Sequence, residues 1–134
     1  MTGESVSRVS ETNQIRKVHV ALGERAYDIL IGRGVVARAP EALRALGARA
    51  AMIVSDETVF KTHGADLAQA LANAGLRVST VTIPPGEASK SFEQLQRVCD
   101  AILNARIERG DLVVALGGGV VGDLAGFAAA IVRR

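Results

Sequence analysis

The sequence predicts an α/β protein with a mostly parallel sheet and flanking helices, and three observations predict it. From Ala50 onward, short aliphatic runs alternate with segments of helical period, the pattern of a sheet covered by helices. The run DLVVAL (Asp111 to Leu116) is continuously apolar, as a strand buried on both faces requires. Each aliphatic run stops at cap-forming or turn-forming residues: SDET after Val54, PPG after Ile83 and GGG after Leu116.

Taken in order, the polar opening over residues 1–17 has no apolar stretch of the secretory type and predicts a flexible tail. The α/β domain then spans residues 18–134. VHVAL (Val18 to Leu22) and AYDILIG (Ala26 to Gly32) flank Gly23-Glu24-Arg25 and predict a hairpin. Gly34 to Leu46 predicts a helix with Val35, Val36, Ala39, Leu43 and Leu46 on one stripe, with Pro40 blurring its start. AAMIV (Ala50 to Val54) is a buried strand, Ala65 to Ala74 a helix stopped by Gly75, and RVSTVTI (Arg77 to Ile83) a strand stopped by Pro84-Pro85-Gly86. Ser91 and Gln94 form an S-x-x-Q capping box for a helix that presents Phe92, Leu95, Val98, Cys99, Ile102 and Leu103 and runs to Gly110. DLVVAL, the glycine cluster and a last helix follow.

Composition narrows the function classes. The chain has 134 residues, a length for one domain. With 16 Lys and Arg against 14 Asp and Glu, three Phe, one Tyr and no basic block, it lacks the electrostatic footprint and stacking residues of a nucleic-acid binder. No uninterrupted apolar run reaches the ~18 residues of a membrane span. One cysteine, Cys99, makes no internal disulfide and fits a reducing cytoplasm; it sits at a core position. One Cys and two scattered His, His19 and His63, have no metal-site spacing.

Ligands of parallel sheets bind beyond the carboxyl ends of the strands. Three segments occupy that position: Ser55 to Thr58, Pro84 to Ser91 and Gly117 to Asp123. All three are expected to line one site. Gly117-Gly118-Gly119-Val120-Val121-Gly122 fits G-x-G-x-x-G between a strand and a helix, where glycine lets the backbone approach a diphosphate and the helix amides face the anion. The motif falls late in the chain, and the ribose-binding acid expected ~20 residues later would lie past Arg134. A P-loop needs Lys where Asp123 stands, which argues against an NTPase. Asp123 suits either the helix dipole or a hydroxyl-rich ligand. Glu87 and Lys90 are a solvated turn or, facing the glycines, partners for ribose hydroxyls and phosphate. Asp56 and Thr58 cap a helix or touch the ligand.

PPGEASKS followed by ALGGGVVGDLAGFAAAIVRR resembles the 3-dehydroquinate synthase family, over nearly the whole chain after the tail. The pairing of P-G-E-x-x-K-S with G-G-G-V-V-G-D-L-x-G-F-x-A is far more specific than the bare glycine fingerprint. The resemblance implies a Rossmann-like NAD-binding domain of an NAD- and metal-dependent carbon–oxygen lyase of the shikimate pathway. It implies DAHP (3-deoxy-D-arabino-heptulosonate 7-phosphate) as substrate and 3-dehydroquinate and phosphate as products, through transient oxidation, phosphate elimination, re-reduction and aldol closure. It implies adenine-ribose contacts at Asp56 and Thr58, an NAD-binding loop at Gly86, Glu87 and Lys90, a diphosphate cradle at Gly118, Gly119, Val120 and Gly122, and a nicotinamide-ribose contact at Asp123. It implies that Arg134 reaches substrate phosphate from a neighbouring subunit of a homodimer. Thr58 stands where the family often has Asn.

The family's catalytic Lys and Asn, its further cofactor segments and its zinc or cobalt ligands (a Glu and two His) have no match in these 134 residues. The resemblance therefore implies a domain cut before the C-terminal helical metal-binding domain, inactive on its own. A related sugar phosphate cyclase, a polyol dehydrogenase and a non-catalytic dinucleotide-binding module are the competing readings.

Overall fold

The structure is a computed structural model and describes residues 15–132. Arg134 and most of the expected tail lie outside that range. The chain divides into two compact units, residues 1–39 and 40–134.

In the first unit, β1 (Arg16–Val20) pairs antiparallel with β2 (Tyr27–Ile31) across a 3₁₀ turn at Gly23–Arg25, so the expected hairpin forms. Its first strand begins at Arg16, two residues earlier than the apolar pattern indicated. His19 and Asp28 are directly opposed, and His19 Nδ1 lies 2.7 Å from Asp28 Oδ1. That bond holds the Asp28 carboxyl below its usual range, with help from Lys17. The helix expected over residues 34–46 is shorter: Val35–Arg38 is a 3₁₀ turn, and α1 covers Ala39–Ala45. Pro40 sits in the first turn of α1, where its missing N–H has no helical acceptor to lose. Because the 3₁₀ segment changes the period, the predicted stripe breaks, and Val36 and Leu46 are exposed while Leu43 is buried.

The second unit carries a three-stranded parallel sheet in the order β4-β3-β5, from β3 (Ala50–Asp56), β4 (Arg77–Ile83) and β5 (Leu112–Leu116). The first strand in sequence is thus central. Parallel crossovers are right-handed as a rule, so the connection from β3 out to β4 and that from β4 back across β3 to β5 put their helices on opposite faces. The first crossover is α2, a helical run of Glu57–Val59, a π turn Phe60–Gly64 and Ala65–Asn73. It begins eight residues before the expected Ala65, because the Asp56 carboxylate caps it. The second is α3 (Phe92–Asn104), and α4 (Gly119–Val132) follows β5 and packs beside α3.

Side chains of β3 alternate between two buried layers. Ala50, Met52 and Val54 join Val81, Ile83, Val98, Ile102, Val121, Leu124 and Ala128 in one cluster. Ala51 and Ile53 are also buried, as are Leu67 and Leu71 of α2. Removing Met52, Ile53 and Val54 from water stabilises the fold by about 1.5–3 kcal/mol each.

Two helix-end expectations are corrected. Ser91 Oγ accepts the Gln94 amide at 3.2 Å, but the reciprocal half of the capping box is absent. The Ser91 amide goes instead to the Ser89 carbonyl, and Gln94 Oε1 is buried without a partner. Helix α3 ends at Asn104, not near Gly110. Arg106 adopts a left-handed φ of 56°, and the Arg77 guanidinium donates to the carbonyls of Ala105 and Arg106 at 2.6 and 3.0 Å. At its other end Phe92 is 89% exposed, and Leu103 is exposed as well, so neither belongs to the core face. Cys99 does pack against the core, and burial raises its thiol pKa.

At the amino ends of the strands, Asp111 fastens β3 to β5. Its Oδ1 accepts the amides of Arg49 and Ala50 at 3.3 and 3.1 Å, and its Oδ2 accepts that of Glu108 at 2.8 Å. Burial alone would raise this carboxyl's pKa, yet the three amides and Arg77 outweigh it and the net shift is downward. Asp111→Ala leaves three donors without their acceptor and is expected to cost about 1–3 kcal/mol in urea unfolding. Because the folded pKa is depressed, this stabilisation is present above about pH 4 and is lost as pH falls through the folded value. The stability gap between wild type and Asp111→Ala therefore narrows in acid; a gap constant from pH 7 to pH 3 contradicts this role.

Candidate functional site

The strand order creates a crevice. The connection after β3 leads to one side of the sheet and the helix after β5 returns on the other face, so the carboxyl ends of these adjacent strands flank a switch point. The three expected segments all lie at this end of the sheet. Asp56 ends β3, Gly86 to Lys90 follow β4, and Gly117 to Asp123 follow β5.

The second and third segments are brought together directly. Lys90 Nζ lies 3.0 Å from Asp123 Oδ2 and 3.9 Å from Glu87 Oε1. The hydrogen bond to Asp123, and then the charge of Glu87, raise the Lys90 pKa, so it is cationic throughout neutral pH. Asp123 is not in the first turn of α4, and its carboxylate faces Lys90 from a full turn inside the helix. Beside the pair lies an open, largely apolar cleft of about 420 Å³, walled by Phe92, Leu95, Leu124 and Phe127. Phe127 is 56% exposed there.

The first segment is placed at the same edge but reaches neither of the others through Asp56 or Thr58. Asp56 Oδ1 accepts the Val59 amide at 2.8 Å and so caps α2, and Thr58 is exposed on that helix. The link from this strand comes from a residue the sequence did not single out. Ser55 Oγ donates to the Leu116 carbonyl at 2.7 Å. Ser89 is a second such residue, its hydroxyl donating to the Pro84 carbonyl. No motif marks either one; a lone serine closing an aliphatic strand, as in AAMIVS, is the only signal the sequence carries.

The glycines separate into two kinds. Gly86 and Gly117 are demanded by the backbone, with φ of 103° and 154°. A Cβ on Gly117 would also approach Val121 Cγ2 to 2.9 Å. Gly118, Gly119 and Gly122 are different: an added Cβ meets nothing within 4 Å, and none has a positive φ. Gly119 and Gly122 are helical, where alanine is favoured over glycine by up to about 1 kcal/mol. The fold alone therefore does not ask for glycine there. Val120 is half-buried and packs against the core, so it can offer a ligand its backbone but not its side chain. The first amides of α4 have no acceptor within the helix. Arg134 lies outside the described residues.

Among the described residues, no group of three or more His, Cys, Asp or Glu is placed to hold a metal ion. None of their helices is long and apolar enough to cross a membrane.

Comparison with known proteins matches this architecture. In three dimensions the chain is similar to 2-deoxy-scyllo-inosose synthase complexed with carbaglucose-6-phosphate, NAD+ and Co2+, at TM-score 0.75 and 19% identity, over 87% of this chain and 31% of that one. It is also similar to 2-epi-5-epi-valiolone synthase from Streptomyces hygroscopicus subsp. jinggangensis 5008 with NAD+ and Zn2+ bound, at TM-score 0.66 and 32% identity, over 84% and 31%. The fold is thus the α/β fold shared with these two synthases. In sequence, a family model described as 3-dehydroquinate synthase N-terminal matches residues 80–134. The chain is 52% identical to a 3-dehydroquinate synthase of Rhizobium etli over 130 residues, 96% of this chain and 34% of the relative. It is 56% identical to one of Agrobacterium fabrum over 120 residues, 89% and 32%. The chain is related to the 3-dehydroquinate synthases and spans about a third of the length of these curated relatives.

Gly117→Ala is expected to lower unfolding stability by about 1–3 kcal/mol through its strained φ and the Val121 contact. Gly119→Ala is expected to leave stability unchanged or raise it slightly. Equal losses in both, measured by chemical denaturation, would remove the distinction between the two kinds of glycine.

Proposed function

We propose that this chain is the dinucleotide-binding part of a 3-dehydroquinate synthase, which converts DAHP to 3-dehydroquinate and phosphate in the cytoplasm as a homodimer. The observation that supports it most directly is that Gly119 and Gly122, helical glycines with open Cβ positions, stand in the first turn of α4; Gly126 farther along shares the open position, so what counts is their place at the head of the helix after β5. A backbone exposed in this way suits a ligand that must approach it closely, and a diphosphate at the head of a helix is such a ligand. The sequence relationship supplies the family, and NAD is bound in one of the structural neighbours at 32% identity.

In this reading the first amides of α4, at Gly118, Gly119 and Val120, face the diphosphate, while Gly122, whose own amide goes to the Gly118 carbonyl at 3.0 Å, offers only a bare backbone. Asp123 takes a hydroxyl of the nicotinamide ribose. Gly86 turns the chain so that Glu87 and Lys90 face the cradle, Glu87 accepting from hydroxyls and Lys90 offering positive charge. Asp56 has one oxygen on the Val59 amide and can turn the other, with Thr58, to the adenine ribose. Arg134 reaches substrate phosphate of the partner subunit. NAD supplies the reversible removal of hydride from a substrate hydroxyl, and the chain's own part is to orient it and to neutralise its charge. The described residues hold no cluster of His, Cys, Asp or Glu that would form the zinc or cobalt site of the family.

Phosphate release from DAHP by the full-length gene product, supplied with NAD and zinc, is the direct test. No release overturns the proposal, and NADH accumulating from a simple polyol would point to a dehydrogenase instead. The 134-residue chain alone is expected to release none. Glu87→Ala and Asp123→Ala in the full-length protein are each expected to weaken NAD binding about tenfold or more, the worth of a hydrogen bond to a charged group. Unchanged affinity in both, by calorimetric titration, would show that the loops do not form the pocket.

A further inference from the structure

Among the described residues only two polar side chains are buried, Ser55 at 0% and Ser89 at 2% exposure. Both lie at the carboxyl edge of the sheet, and both hydroxyls donate to the backbone carbonyl of a residue at which a strand gives way to a loop. Leu116 is the last residue of β5 and precedes Gly117. Pro84 is the first residue after β4 and opens the loop that carries Gly86, Glu87 and Lys90.

We infer that Ser55 and Ser89 are positioning residues for the dinucleotide site, an inference that rests on the function proposed above. A hydroxyl buried in an aliphatic layer is unfavourable unless bonded, and alanine would fill either place without a polar group to satisfy. What the hydroxyl adds is direction. Ser55 and Leu116 form the final rung of the β3–β5 ladder, beyond which no backbone pairing holds the chain. The Ser55 bond fixes the Leu116 carbonyl there and thereby sets where Gly117 turns and where the first amides of α4 point. A second acceptor, the Asp56 carbonyl, lies farther from the same hydroxyl at 3.3 Å, so the single proton favours Leu116. Ser89 closes the loop from Pro84 back on itself, alongside the Ser89 amide bond to the Gly86 carbonyl and the Lys90 amide bond to the Glu87 carbonyl. This closed loop delivers the Lys90 ammonium to Asp123 of α4. Neither serine touches the ligand in this arrangement; each acts through the backbone it holds.

The test uses the full-length protein with Ser55→Ala, Ser55→Thr and Ser89→Ala. NAD affinity is measured by calorimetry, and amide hydrogen exchange is followed without ligand. Ser55→Ala is expected to weaken NAD binding about fivefold to tenfold, as for a buried hydrogen bond lost. It should speed exchange at Gly117 to Val121 while leaving Met52 to Val54 protected, and Ser55→Thr should restore both. Ser89→Ala should speed exchange at Glu87 to Ser91 and weaken NAD binding similarly. A serine that merely stabilises the core would raise exchange across β3 and leave the affinity of the folded protein unchanged, and that result overturns the inference. If Ser55→Ala does not fold, Ser55→Cys, of similar shape with a weak donor, carries the same comparison. A wild-type protein that binds no NAD overturns the proposed function, while the exchange pattern still decides whether the serines hold the loops.

Discussion

The complete burial of β3 is the constraint on which the rest of the second unit depends. From Ala50 to Ser55 every side chain is at most 1% exposed, with alternate residues packed into opposite layers. A strand buried on both faces must have helices on both sides, and a parallel sheet supplies them only through crossover connections. With this first strand in the middle, the two crossovers depart in opposite senses and the loops that follow β3 and β5 become neighbours. The site is thus a product of strand order. The aliphatic side chains AAMIV suit that order, because all of them pack without a polar group to satisfy between two helix layers.

Polar groups divide between the two ends of the sheet. At the amino end Asp111 uses both carboxylate oxygens on backbone amides and joins β3 to the start of β5. At the carboxyl end Lys90 and Asp123 are exposed and face one another across loops, while the buried polar residues there are the serines Ser55 and Ser89. This follows from desolvation. A carboxylate can be partly buried where several amides surround it, but a charged ligand must be met by groups that are still reachable from solvent. The amino end therefore stabilises, and the carboxyl end keeps its charged pair within reach of solvent.

The sequence made the second unit legible because its elements are simple. AAMIV, RVSTVTI and LVVAL become strands, and Ser91 caps the helix it was expected to cap, since continuous aliphatic runs and a serine before a helical period leave few alternatives. What the sequence hid was decided by competition for backbone groups. Gln94 could not reach the Ser91 amide because the loop carbonyl of Ser89 had already taken it. Helix α3 stops at Asn104, and Arg77, distant in sequence, binds the carbonyls of Ala105 and Arg106 just past its end, where Arg106 turns left-handed. In the site, Glu87, Lys90 and Asp123 were legible as a charged group facing glycines, and the structure brings them together. Asp56 was legible as either a cap or a ligand contact, and its contact in the structure is the cap. Ser55 and Ser89 were not legible, since their roles depend on carbonyls 61 and 5 residues away.

The Lys90–Asp123 pair shows how such a site can be organised without being blocked. Both side chains are substantially exposed, at 44% and 67%, so solvent screens their attraction and separating them costs little. The two groups nonetheless stay close, because each is carried on a segment whose backbone is fixed by buried contacts: Ser89 on one side, and Val121 and Leu124 on the other. A ligand carrying both hydroxyls and phosphate can then replace the two groups as partners for each other, offering hydroxyls to the carboxylate and negative charge to the ammonium. The pair keeps two complementary charges a few ångströms apart before the ligand arrives, and the ordering that binding would otherwise require has been done in folding.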